Sequence, residues 1–279
     1  GGGVIFPISI LLWYYFTGSS FTLFVTGLCL ISVISFLDDC ITLTNSIRIL
    51  VHVISVGLLL YQLGFEEYNW FYWVTGFVLI IGWVNAVNFM DGINGITVLY
   101  SLSVLASCYY INTSFPFIDS YLMEYTCMGL VVFGVYNVRK KAKSFAGDVG
   151  SVSVAFIIAF ILMSLIVQSS NWKYVLLVSV YGVDTVVSII QRLLRKENIF
   201  NAHRSHLYQH LANEGKHSHV TISVIYAGIQ LCLNTVLIVY IIPKTNHLTA
   251  IMYLVAQGLL YLLIKTLLKK KLNLIKSVQ

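Results

Sequence analysis

Ten long apolar runs, separated by short polar stretches, leave this chain few folds to choose from. They occupy roughly 4–17, 21–37, 47–63, 70–88, 95–111, 120–137, 149–167, 172–191, 219–242 and 248–268. A helix that crosses a bilayer needs about 20 mostly apolar residues, within a range of about 17–25. All but the first run reach that length. The runs are continuous and not alternating, which favours helices over a barrel. Only 10% of the 279 residues are charged, against about 25% in a soluble domain. We therefore expect an all-α, polytopic transmembrane bundle of about ten helices, with residues 1–279 forming one membrane domain.

Ten crossings sort the loops into two alternating sets. One set comprises 18–20, 64–69, 112–119, 168–171 and 243–247. The other comprises 38–46, 89–94, 138–148, 192–218 and the tail after 268. Of the 17 Lys and Arg residues, only Lys173 and Lys244 fall on the first set. An excess of Lys and Arg marks cytoplasmic loops, so the second set is assigned to the cytoplasm. The net charge of +6 then reflects basic loops facing anionic lipid, with the bilayer and no nucleic acid as partner. The cysteines Cys29, Cys40, Cys108, Cys127 and Cys232 form no CxxC pair. They read as small apolar fillers, not as a metal cluster or a disulfide framework.

The unusual polar clusters all fall on the cytoplasmic set. Asp38 and Asp39 end the second run as adjacent carboxylates. Mg²⁺ typically takes one or two carboxylates together with substrate phosphates and water; a negative helix end that simply stays in water is the alternative. Asn85, Asn88 and Asp91 end the fourth run at intervals of three, which places them on roughly one helical face. Gly92 and Gly95 follow and free the backbone to turn. Gly147-Asp148-Val149-Gly150-Ser151 opens the seventh run. A helix N-terminus holds phosphate well, so Asp148 is either the metal ligand beside that phosphate or the cap of the helix; we favour the metal. His203, Arg204 and His206 supply groups that suit a diphosphate. Arg48 could reach a lipid phosphate or only snorkel. Asp184, well inside the eighth run, needs a partner that the sequence does not identify.

Taken together, the Asp38-Asp39 pair, the NxxNxxDG block at 85–92, the GDxGS block at 147–151 and the basic His loop at 203–210 resemble the polyprenyl-phosphate N-acetylhexosamine-1-phosphate transferases. The resemblance covers almost the whole chain. It implies transfer of a sugar-1-phosphate from a UDP-sugar to undecaprenyl phosphate, with release of UMP, as the first membrane step of cell-surface polysaccharide synthesis. It also implies Mg²⁺ (or Mn²⁺) and an active site on the cytoplasmic face of a bacterial inner membrane. By motif, Asp148 is the chief metal ligand with Asn88 in support. Asp38, Asp39 and Asp91 are catalytic. Asn85, Asn94, His203, Arg204, His206 and Arg48 contact substrate. The wording of the His loop slightly favours N-acetylated deoxysugars such as FucNAc or QuiNAc over GlcNAc. Homodimerisation stays open.

Two positions depart from the pattern. Thr42 stands where GlcNAc-type members often carry an acid. Asn94 stands where the DGxDG pattern has its second Asp, so position 94 offers hydrogen bonds without charge. The chain opens on Gly1-Gly2-Gly3 without a Met, and we expect the family's first helix and first cytoplasmic loop to precede it. A secondary transporter of a small anionic solute is the competing class. Transporters keep charges near the midplane and often show inverted repeats; here the acids gather at one interface and no repeat is visible.

Overall fold

The computed structural model describes residues 1–197 and 205–278. Among the described residues every regular element is helical. The helices are α1 (Ile5–Thr17), α2 (Thr22–Cys40), α3 (Asn45–Gln62), α4 (Trp70–Met90), α5 (Ile96–Ser114), α6 (Ser120–Asn137), α7 (Gly147–Ser169), α8 (Ser179–Leu194), α9 (Leu207–Gln209), α10 (His219–Val236), α11 (Ile242–Lys244) and α12 (His247–Val278). A 3₁₀ segment, Trp172–Val178, leads into α8, and π turns follow α9 and α10. Each of the ten apolar runs carries a helix. Among the described residues, eight helical stretches are long and apolar enough to cross a membrane. The chain is an all-α, multi-pass membrane protein. α12 continues past the predicted end at 268, through Lys269, Lys270 and Lys271, because Leu and Lys are good helix formers.

Hydrogen bonds between helix ends fix which loops share an end of the bundle. At one end, Trp13 Nε1 donates to Asp119 Oδ2 at 2.8 Å, Leu23 N to Gln62 Oε1 at 2.9 Å, and Gln168 Nε2 to the Phe117 carbonyl at 2.6 Å. At the other, Asp148 N donates to Asp39 Oδ1 at 2.9 Å and Gly95 N to Asn137 Oδ1 at 2.7 Å. The loops therefore alternate as the run count requires. Lys173 and Lys244, the two basic residues of the first set, are both engaged there. Lys173 is buried, and its Nζ donates to the carbonyls of Ile242 and Thr245 at 2.5 and 2.9 Å. A cation suits carbonyls left over at a helix C-terminus. Lys244 Nζ lies 4.4 Å from the centre of the Tyr240 ring.

α7 is the axis of the bundle. Every residue from Val149 to Leu165 is buried, chiefly against α2 and α4, with α1 and α5 beside them. Small residues make this possible, since apolar association inside lipid depends on close packing and interhelical hydrogen bonds. Ser153 Oγ pairs with Ser32 Oγ of α2 at 2.8 Å, and Trp83 Nε1 of α4 donates to the Ala155 carbonyl at 2.9 Å. Phe24 stacks on Phe160 with centroids 3.9 Å apart. The residue that opens this axis is Gly147, and Asp148 follows it.

Candidate active site

Four helix termini and one loop meet at the end of the bundle that carries Asp38, Asp91 and Asp148. α2 ends there with Asp38 and Asp39, α3 begins with Arg48 in its first turn, α4 ends at Met90, and α7 begins at Gly147. A cavity of about 240 Å³ opens beside them, between the end of α4, the turn that follows it, the end of α6 and the start of α7. Its lining includes Asn88, Asp91, Asn94, Asn137, Phe145 and Asp148. The convergence expected of Asp38, Asp39, Asp91 and Asp148 is present at one end of the molecule, but in two layers.

Asp91 and Asp148 form the inner layer, because both line the cavity. Thr97 Oγ1 donates to Asp91 Oδ1 at 2.5 Å. The Asp91 carboxyl is pushed up to about 6, first by burial, against the Thr97 hydrogen bond that lowers it and with the Asp148 charge raising it further. Asn88 lines the same cavity, and its Oδ1 accepts from Ser151 Oγ of α7 at 3.2 Å.

Asp38 and Asp39 stand behind that layer. The Asp39 carboxylate accepts from the backbone N–H of Asp148 at 2.9 Å and of Val149 at 3.3 Å. It is therefore Asp39, from another helix, that caps α7. The Asp148 carboxylate is therefore not the cap of α7. Gly147 makes the arrangement possible. Its φ is +69°, and a Cβ there would collide with Asp39 Oδ2. Asp38 accepts from Leu43 N at 2.9 Å and pairs with Arg48 Nη1 at 2.8 Å. Arg48 Nη2 reaches Asp148 Oδ2 at 3.2 Å. The guanidinium thus bridges the outer acid to the inner one.

Other predicted residues lie elsewhere. Asn85 is exposed and donates to the Ile81 carbonyl of its own helix at 2.9 Å. It is not among the residues around the cavity. Asn94 does line the cavity, but its amide donates to the Arg139 carbonyl at 2.9 Å and so ties the loop after α6 to the turn before α5. His206 is buried, with Nδ1 2.8 Å from Asp184 Oδ1, which departs from an open diphosphate ligand. His203 and Arg204 lie outside the described residues. Two cavity residues escape the sequence reading. Asn137 bonds Gly95 N and donates to the Ser144 carbonyl at 2.9 Å, fixing both loops. Phe145 exposes its ring at the cavity (66% accessible). An aromatic two residues before a Gly-Asp turn is the available signal.

Residues 21–166, from the start of α2 into the last turn of α7, match the family described as "Glycosyl transferase family 4". The chain belongs to glycosyl transferase family 4. The match takes in every residue of both layers. Over 229 residues the chain is 24% identical to the probable undecaprenyl-phosphate N-acetylglucosaminyl 1-phosphate transferase of Bacillus subtilis (strain 168), covering 76% of this chain and 63% of that protein. Over 118 residues it is 34% identical to the phospho-N-acetylmuramoyl-pentapeptide-transferase of Lactococcus lactis subsp. cremoris (strain MG1363), covering 41% and 34% of the two chains. The protein of the same name from Streptococcus pneumoniae (strain Taiwan19F-14) is 34% identical over 125 residues, covering 43% and 36%. The chain thus spans less than two thirds of the length of these relatives. The family 4 match ends inside α7 and leaves α8 to α12, with Asp184 and His206, outside it.

The donor set suits a hard divalent cation. Among the described residues no three His, Cys, Asp or Glu side chains group as a metal site. Two carboxylates, Asp91 and Asp148, nevertheless share one cavity with the Asn88 carboxamide. Two acids raise each other's proton affinity unless a cation intervenes. Mg²⁺ commonly uses one or two carboxylates and completes its shell with substrate phosphate and water, so these residues fit it.

Proposed function

We propose that this protein transfers a sugar-1-phosphate from a UDP-sugar to undecaprenyl phosphate and releases UMP. The observation that carries the reading is the cavity, lined by two acids, a carboxamide and an exposed aromatic, with Arg48 paired to Asp148 beside it, at one end of a family 4 bundle. The activities for which the relatives are named support it. The sugar we propose is an N-acetylated hexosamine or deoxyhexosamine, and the setting is the cytoplasmic face of a bacterial inner membrane at the start of cell-surface polysaccharide synthesis. The excess of Lys and Arg at the site end supports that orientation.

In the proposed reaction an oxygen of the lipid phosphate attacks the phosphorus that bears the sugar. A new phosphorus–oxygen bond forms, and the bond from that phosphorus to the bridging oxygen of UMP breaks, with UMP taking the electron pair. The nucleophile is already anionic near neutral pH, so no strong base is required. This fits the placement of Asp39, whose oxygens serve the α7 backbone. When bound by Asp148, with Asp91 and Asn88, Mg²⁺ supplies charge neutralisation to the diphosphate. Arg48, held by Asp38, orients Asp148 and offers N–H groups to a phosphate. Asp38 and Asp39 act on the reaction through Arg48 and the α7 backbone. The rate gain comes from positioning and electrostatic stabilisation.

The test is UMP release from UDP-GlcNAc and a panel of related UDP-sugars, in membranes supplied with undecaprenyl phosphate. Solute uptake without UMP would favour a transporter and end the proposal. Phe145 gives a narrower prediction. Base–aromatic stacking is worth about 1–3 kcal/mol, so Phe145→Ala should raise the KM for the UDP-sugar roughly tenfold and leave that for the lipid unchanged. Equal changes in both would remove Phe145 from the nucleotide subsite.

A further inference from the structure

The most heavily partnered buried acid among the described residues lies outside the family 4 match, in α8. Asp184 is fully buried. A carboxylate in such a place is costly unless its oxygens are satisfied. Its Oδ2 accepts from Tyr226 of α10 at 2.9 Å. Its Oδ1 accepts from Tyr261 of α12 at 2.8 Å and lies 2.8 Å from Nδ1 of His206, at the entry to α9. Ser188 Oγ reaches the same oxygen at 3.5 Å and in turn accepts from the buried Lys265 Nζ of α12 at 3.0 Å. One carboxylate thus fixes three separate segments.

From His206 the contacts run back to the cavity. The imidazole stacks on Tyr208, with centroids 5.9 Å apart and planes at 24°. The Tyr208 hydroxyl donates to the Phe89 carbonyl at 2.9 Å. The same hydroxyl fills the space beside Gly92, where a Cβ would collide with it. Phe89 and Gly92 flank Asp91, the acid on the cavity wall.

We infer that Asp184 is a positioning residue for the candidate active site: through His206 and Tyr208 it sets the Phe89–Gly92 turn that carries Asp91. For its part in catalysis the inference rests on the function proposed above. The need for an acid follows from the donor count. A carboxylate offers acceptor sites on both oxygens, whereas a carboxamide presents N–H groups on one side, where Tyr226 or His206 also brings a donor. Asp184→Asn therefore keeps the volume and loses the pattern.

The experiment compares the full chain with Asp184→Asn and Tyr208→Phe in bilayers. It reads UMP release and amide hydrogen exchange across 89–95, with peptides from α1 to α3 as internal reference. Asp184→Asn should lower kcat by about 10- to 100-fold, the usual cost of disturbing an outer-shell partner. It should also speed exchange at 89–95 while α1 to α3 keep the wild-type rates. Tyr208→Phe removes only the hydroxyl on the Phe89 carbonyl, so it should speed exchange at 89–95 without loosening α12. The effects of the pair should be less than additive, as for residues on one chain of contacts. Faster exchange confined to α8, α10 and α12, with 89–95 unchanged, would show that Asp184 merely holds helices together. Should Asp184→Asn not fold, unchanged exchange at 89–95 in Tyr208→Phe overturns the inference by itself. Exchange is read whether or not the wild type releases UMP, so failure of the proposed function is seen separately.

Discussion

Asp148→Asn is expected to abolish UMP release while the protein stays folded in the membrane. The α7 N-terminus is capped by Asp39, so the change at 148 leaves both capping hydrogen bonds in place. It weakens one ion pair, that with Arg48 at 3.2 Å. Both side chains are about a third exposed (29% and 31%), and such pairs contribute about 0–1 kcal/mol. Stability should therefore barely change. The carboxamide cannot supply the charge that holds a cation against a diphosphate. Loss of a single preorganised electrostatic contact commonly costs about 10²–10³ in rate, and the chief ligand should cost at least as much. UMP release measured across a Mg²⁺ titration, at matched expression, checks this. Near-normal turnover at low Mg²⁺ would move the cation site away from Asp148.

Gly147→Ala should be nearly as damaging, through the backbone. The residue sits at φ +69°, where a side chain costs about 1–2 kcal/mol. The added carbon would collide with Asp39 Oδ2, so Asp39 must leave the N–H groups of Asp148 and Val149. An uncapped helix loses about 0.5–2 kcal/mol. Together these predict about 1.5–4 kcal/mol of destabilisation. Asp148 is displaced as well, and a shift near 1 Å at a reacting centre can cost about 10² in rate. Thermal melting and UMP release should both fall, with Asp39→Asn, which keeps one acceptor oxygen, in between. An alanine variant that melts and turns over like wild type would refute the account.

The helices and the end at which the acids gather are legible in the amino-acid sequence, and the reason is physical. A spanning helix is specified by composition over some 20 residues, so each of the ten runs carries a helix, and alternation fixes which clusters share an end. Side-chain roles are less legible because they depend on partners far along the chain. Asp39 meets the α7 backbone across 109 residues, and nothing local distinguishes it from Asp38. Asn85 shows a limit of spacing arguments. A step of three falls short of a full turn by about 60°, so two steps carry Asn85 well round the helix from Asp91, to its own Ile81 carbonyl. His206 reads as an open ligand because its partner Asp184 is 22 residues away on another helix. α7 is the most apolar span and also the most buried. Hydropathy cannot separate contact with lipid from contact with helices, since both surroundings are apolar.

The last helix stands apart in a way that bears on the membrane itself. α12 packs mainly on α8, and only 6% of its apolar window is buried. Its apolar run, 248–268, is roughly 31 Å long at about 1.5 Å per residue, which matches a hydrocarbon core of about 30 Å. In a thinner bilayer a helix of that length tilts. α2 and α4 pack closely on α7, whereas α12 rests mainly on α8. Its tether is Tyr261 and Lys265, at Asp184 and Ser188. A thinner bilayer is therefore expected to load α12 at the same carboxylate that holds His206.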